Sequence, residues 1–89
     1  MTVLPDEILS LQSHNHRNEH WFVAEGVATV ECDGEVMTLK QYESFYIPLG
    51  SKHRLSNLGN NILKVVELQT GEILSEEDIV RYEDRYERD

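Results

Sequence analysis

Apolar and polar residues alternate along most of this chain, in runs too short for helices. ILSLQSH, residues 8–14, alternates in this way behind Pro5 and Asp6. HWFVAEGVATVECDGEVMTL, residues 20–39, contains two turn signals, Glu25-Gly26 and Asp33-Gly34. The second is the stronger, because both central residues of a type I′ hairpin turn take positive φ and Asp-Gly accepts that. Strands are therefore expected at 20–24, 27–32 and 35–39. A turn follows at 41–43. SFYIPL, residues 44–49, reads as a strand that Pro48 confines to an edge or an end, since proline cannot donate to a ladder. LGNN, residues 58–61, turns the chain into ILKVVELQ, residues 62–69, where Leu63, Val65, Glu67 and Gln69 share one face. The period then changes. Ser75 suits a helix N-cap before Glu76, Glu77 and Asp78, and Ile79, Tyr82 and Tyr86 fit one helical face. The expectation is one all-β domain over 1–89, a sandwich or small barrel, with an N-terminal arm at 1–7 and a short C-terminal helix or tail at 75–89.

Size and charge narrow the classes. A chain of 89 residues has a small core, burying only ~60–65% of the surface its unfolded form exposes. Pairing with a second copy would cover apolar strands, so a homodimer is expected. The net charge is −9, and eight acids lie in the last eighteen residues. Nucleic-acid binding is not expected, because phosphate contacts need clustered cations. An anionic substrate would need a local basic pocket, for which Arg17, Lys52, Arg54, Lys64 and Arg81 are available. No apolar run reaches the ~20 residues of a membrane span, and MTVLPDEILS lacks the basic-then-apolar order of a signal peptide. A cytoplasmic protein without membrane contact is expected. One cysteine, Cys32, excludes an internal disulfide; beside a hairpin turn it is expected to be inert.

Chemistry concentrates in QSHNHRNEHW, residues 12–21, which holds three of the four histidines. If Leu9 and Leu11 face one side, Ser10, Gln12 and His14 face the other. A turn at 15–18 would return Glu19 to that face, with Trp21 and Val23 following it inward. His53 lies far away in PLGSKHRLSN. Gln12, His14, Glu19 and His53 together form a non-thiolate N/O set of the kind that binds zinc, manganese or iron with positions left open. His16 is the alternative to Gln12, although parity places it in the turn.

These spacings resemble the two motifs of the cupin superfamily. Gln12-x-His14-x4-Glu19-x6-Gly26 matches the first, with glutamine in place of its leading histidine. Pro48-x-Gly50-x2-His53-x3-Asn57 matches the second. Asp6 and Tyr42 stand where the two motifs open with glycine. More closely, LSLQSHNHRNEHWFVAEGVATV, YIPLGSKHRLSN, VVELQTG and EEDIVRYEDRY are similar to the C-terminal cupin domain of type II phosphomannose isomerases, from Leu9 to Arg88. That domain also occurs fused behind a mannose-1-phosphate guanylyltransferase; the chain has no such region, so nucleotide transfer is not expected. The resemblance implies a double-stranded β-helix (jelly roll), dependence on a divalent metal ion (zinc first, then manganese, cobalt or iron), and interconversion of mannose 6-phosphate and fructose 6-phosphate. It also marks Arg17, Glu19, His20, Arg81 and Arg88 as functional positions. The chain departs from the family pattern in having only residues 1–8 before LSLQ, and Glu87 where a glycine is usual.

Aldose–ketose isomerisation needs a base near C1 and C2 and positive charge on the developing oxyanion. Glu67 shares its face with Leu63 and Val65, so burial should raise its pKa toward a useful range, and it is the expected base. Arg17 suits a sugar oxygen or the phosphate. Arg81 and Arg88 would close the site from the tail, or simply pair with neighbouring acids. His20 alternates away from Glu19, which leaves a catalytic and a surface role both open. Trp21, Phe22, Phe45 and Tyr46 are expected in the core or a dimer interface. The alternative function is a non-enzymatic sugar- or metabolite-binding cupin.

Overall fold

The computed structural model describes residues 1–71 and 79–83. Nine strands run through them: β1 (Thr2–Val3), β2 (Leu11–His14), β3 (Arg17–Glu25), β4 (Ala28–Cys32), β5 (Glu35–Leu39), β6 (Ser44–Ile47), β7 (His53–Ser56), β8 (Leu63–Gly71) and β9 (Ile79–Glu83). They form two antiparallel sheets, ordered β1-β8-β3-β6 and β5-β4-β7-β2-β9. Apart from the β4–β5 hairpin, each described connection from β2 to β8 carries the chain from one sheet to the other. That is the jelly-roll path, and it brings residues distant in sequence onto facing walls.

Alternation decides what each wall presents. Along β3, Arg17, Glu19, Trp21 and Val23 are buried while His20 and Phe22 are exposed. Val23, Ala28, Val30, Leu55, Leu63 and Val65 meet in the apolar part of the core, none more than 2% exposed. The hairpin forms as Asp33-Gly34 demands: Asp33 has φ 49°, Gly34 φ 86°, and Cys32 pairs with Glu35. β6 is an edge strand ending just before Pro48, as the missing donor requires. Among the described residues no helix is long and apolar enough to cross a membrane.

Three expectations need correction. The chain turns over Asn15 and His16 alone, so β3 begins at Arg17 instead of at residue 20. HRLS, residues 53–56, is a strand that its polar residues concealed; it lies between β4 and β2. Residues 79–83 are not helical. They form β9, which pairs with β2 through Ser13↔Val80 and is fastened by a 2.8 Å hydrogen bond between Ser13 Oγ and Tyr82 Oη. The helical spacing of Ile79 and Tyr82 is real, but β2 would otherwise expose a row of unpaired backbone groups, and pairing them outweighs a weak local propensity. Ser75, the acids at 76–78, Tyr86, Glu87 and Arg88 lie outside the described residues.

The two substituted glycine positions keep the glycine backbone. Asp6 has φ 68° and Tyr42 φ 71°, a left-handed conformation that costs an L-residue about 1–2 kcal/mol. Gly26 has φ +87°, and a Cβ there would lie 2.6 Å from the Ile62 carbonyl oxygen. Urea unfolding should therefore show Gly26→Ala destabilising by at least about 1–2 kcal/mol. Tyr42→Gly should stabilise by roughly 0.5–1 kcal/mol, the relieved strain less the added freedom of the unfolded chain.

Candidate metal centre

Three strands supply the centre. β2 ends on His14, the turn returns Glu19 on β3 in the opposite sheet, and β7 opens on His53 beside β2, with Gln12↔His53 in register. His14, Glu19 and His53 are each 3% exposed. One ligand atom from each lies within 4.8 Å of the others. His14 Nε2 is 3.0 Å from Glu19 Oε2, and His53 Nε2 is 3.9 Å from Glu19 Oε1. The imidazole rings are 5.0 Å apart.

Neighbouring groups orient this set. His53 Nδ1 lies 3.0 Å from the Ser51 carbonyl oxygen; donating its proton there leaves Nε2 as the lone-pair nitrogen facing Glu19. The Trp21 indole donates to Glu19 Oε1 at 3.0 Å. His14 Nδ1 is buried with no hydrogen-bond partner among the described residues. Two imidazoles and a carboxylate, buried and convergent, match the donor chemistry of a divalent transition metal. Gln12 lines the same cavity, and its Nε2 donates to Ser10 Oγ at 2.6 Å. Its carbonyl oxygen is the atom suited to ligation. His16 is exposed in the turn and is not part of the three-residue group.

The cavity is about 180 Å³ and extends from Glu19 and His53 past Glu67 to Arg81. Glu67 faces inward on β8, opposite Trp21, and accepts a 2.6 Å hydrogen bond from Gln69 Nε2. Its pKa is raised, first by burial and then by the Glu19 charge beside it, against the opposing effect of Gln69. Glu19 goes the other way. Burial alone would raise it, but the His14 hydrogen bond, the charges of His14 and His53, and the Trp21 hydrogen bond lower it to about 2. The environments thus push the two carboxyls apart, leaving Glu19 ionised and Glu67 more readily protonated.

Of the cations named as pocket candidates, Arg17, Arg54 and Arg81 line the cavity. Lys52 lies over the Tyr82 ring at 4.4 Å, and Lys64 pairs with Glu25 at 3.7 Å, exposed at the far end of the sheet. His20 is exposed on the outer face, edge-on to Tyr46 at 5.0 Å, and does not line the cavity. Phe22 and Tyr46 are exposed on that same face, while Trp21 is buried and Phe45 packs against the core. The Cys32 thiol is buried, and burial and the Asp33 charge push its pKa up, away from reactivity. Sequence reasoning overlooked three contributors: the Trp21 indole, the Ser51 carbonyl and the Gln69 amide. Parity had placed Gln69 beside Glu67, which was the available signal. Asn57, the last residue of the second motif, is 1% exposed. Its Nδ2 donates to the carbonyls of Val3 and Asn61, so it fixes the loop after β7.

Comparison with known proteins agrees with this geometry. Residues 1–84 match the family model described as mannose-6-phosphate isomerase C-terminal. The chain is 51% identical over 88 residues to mannose-1-phosphate guanylyltransferase ManC of Salmonella typhimurium, covering 99% of this chain and 18% of that one. It is 50% identical over 88 residues to alginate biosynthesis protein AlgA of Pseudomonas putida, with 99% and 18% covered. The chain therefore spans about a fifth of the length of these relatives. Among solved structures, the cupin domain of Schizosaccharomyces pombe Cnp3 superposes with a TM-score of 0.77 at 13% identity, covering 80% of this chain and 52% of that one. A cupin-superfamily sugar phosphate isomerase from Silicibacter pomeroyi gives 0.71 at 19% identity, with 78% and 46% covered. These likenesses establish the cupin fold.

Burial holds the His53 pKa below its ordinary 6.5; the Ser51 carbonyl and Glu19 oppose this, and His14 and Arg17 add to it. The unfolded chain then takes up that proton more readily than the folded one, so folding weakens as pH falls below 6.5 and is unaffected above it. Thermal unfolding of metal-free protein should show a midpoint that declines below about pH 6.5, with a shallower decline in His53→Asn.

Proposed function

The chain belongs to the mannose-6-phosphate isomerase C-terminal family, and from that premise we propose that it interconverts mannose 6-phosphate and fructose 6-phosphate with the help of a divalent metal ion. The observation that carries this reading is the buried His14–Glu19–His53 group, whose Glu19 and His53 line one cavity together with Glu67, a carboxyl of raised pKa.

His14, Glu19 and His53 would hold the ion, zinc first by donor type, with Gln12 the fourth ligand and manganese, cobalt or iron as substitutes. When bound, the ion supplies a Lewis acid for the substrate's carbonyl oxygen. Glu67 moves the proton between C1 and C2; its raised pKa brings it nearer the operating pH, where a base that must also return a proton works best. Arg17, Arg54 and Arg81 supply positive charge that the chain as a whole lacks, which suits a phosphate group. Arg81 is on β9, so this strand carries a basic group to the cavity rim. Arg88, which the family resemblance marks for the same task, lies outside the described residues. His20 faces away from the cavity, and no chemical step is assigned to it. A phosphosugar substrate and a single unpaired thiol fit a reducing, cytoplasmic setting.

The same reading takes two copies of the chain. Across the β1-β8-β3-β6 sheet, Phe22, Tyr46, Val66 and Leu68 are exposed by 40%, 46%, 57% and 59%. Between the Glu25–Lys64 pair and Thr70 the outward positions on β3, β6 and β8 carry no acid, in a chain that has seventeen. An apolar patch of a few hundred Å², without charge at its centre and with aromatic residues, has the make-up of an interface.

Purified protein supplied with zinc, manganese or cobalt should convert fructose 6-phosphate to mannose 6-phosphate, and absence of turnover with every metal rejects the isomerase. In that event, thermal stabilisation by the phosphosugar would leave the non-enzymatic binding reading. Glu67→Gln should lower kcat by about 10²- to 10⁴-fold with metal content unchanged, whereas His53→Ala should lose the metal and His20→Ala should stay near full rate. Light scattering behind size exclusion should find a dimer that Phe22→Asp combined with Leu68→Asp converts to monomer; a wild-type monomer refutes the shared face.

A further inference from the structure

Arg17 lines the cavity, yet its guanidinium is turned onto the candidate metal ligands. Its guanidinium is drawn into the cluster and is 4% exposed. Nε lies 3.2 Å from Glu19 Oε2, and Nη2 lies 3.4 Å from His14 Nε2. These are the two atoms that also face each other at 3.0 Å, and both belong to the candidate ligand group. The contacts are charged but poorly directed: Nε makes no hydrogen bond among the described residues, and 3.4 Å is long for an N–H···N contact. Arg17 is therefore held at Glu19 mainly by Coulomb attraction, strong at this burial but without the forked geometry of a locked arginine–carboxylate pair.

We propose that Arg17 is the site's internal counter-cation: it neutralises Glu19 while no metal is bound, competes with the metal for Glu19 and His14, and is released toward the cavity when the metal enters. This rests on the metal-centre reading above. Three considerations support it. An ionised carboxylate at 3% exposure needs a partner, because a charge left buried and unpaired is strongly unfavourable. A divalent ion and a guanidinium cannot share one carboxylate oxygen in a buried site without like-charge repulsion. Once displaced, the side chain already lines the cavity where a phosphosugar would sit. Metal loading would then create an anion-binding group as well as a Lewis acid, so the cavity would gain affinity for its substrate only after loading.

Trp21, the one tryptophan, donates to Glu19 Oε1 and gives a direct readout. Fluorescence titration with Co²⁺ should show Arg17→Met binding the ion at least tenfold more tightly than wild type, and Arg17→Lys, which keeps the charge, binding close to wild type. Metal-free Arg17→Met should melt at a lower temperature than metal-free wild type and gain more on loading. Equal or weaker binding by Arg17→Met would mean that Arg17 positions Glu19 for the metal, and would overturn the proposal. If Arg17→Met does not fold, wild type suffices: the Arg17 Nε–H resonance, protected from exchange without metal, should shift and lose protection when Zn²⁺ is added, and an unmoved resonance overturns it. Failure of wild type to bind either ion would remove the metal centre itself, an outcome separable from stoichiometric binding that leaves Arg17 in place.

Discussion

A carboxylate kept ionised inside the barrel is the constraint around which this structure is arranged. Glu19 reaches the interior because it shares a strand face with Trp21 and Val23, two core residues. Its charge is compensated by groups from three elements: His14 at the end of β2, Arg17 and Trp21 on β3 itself, and His53 at the start of β7. Removing any one of them would leave a buried charge poorly paired, a state far costlier than the net worth of the pair. Stability comes from the apolar half of the core, centred on Val23, Val30, Leu55, Leu63 and Val65.

The jelly-roll path is what makes such a cluster possible in so short a chain. Each crossing between sheets puts the next strand on the opposite wall, so the paired histidines come from one sheet and the two acids, Glu19 and Glu67, from the other. The apolar residues close one part of the interior and the polar residues line the rest. Two cavity carboxyls in one small space then separate in proton affinity without further design. The one ringed by histidines and an indole stays charged; burial, and then that charge, raises the other.

The outer surface divides in a similar way. The face of the β1-β8-β3-β6 sheet is apolar and nearly free of charge, whereas the other sheet carries Glu31 on β4 and Glu35 on β5. Among the described residues, that face carries an acid only at Glu25, which pairs with Lys64. A strongly acidic protein can thus keep a nearly uncharged sheet face and a locally basic cavity together, because electrostatic effects at short range depend on which charges are near and not on their sum.

Local patterning by itself determined much here. Period-2 alternation marked most strands and the inward direction of Glu19, Trp21, Leu63, Val65 and Glu67. Asp33-Gly34 specified its hairpin, and the two-motif spacing anticipated that His14, Glu19 and His53 would meet. The strands and the hairpin are legible because they depend on backbone geometry within a few residues; the meeting with His53 was read from the family resemblance. Three other matters were decided only by the tertiary structure. Residues 79–83 became a strand because β2 offered an open edge, a property of the assembled sheet that no window around Ile79 contains. Alternation left both a surface and a catalytic role open for His20, and the assembled sheet set it edge-on to Tyr46, outside the cavity lining. Arg17 was turned inward onto Glu19 because a buried anion must find a cation, and which cation is nearest is settled only when the strands have been brought together.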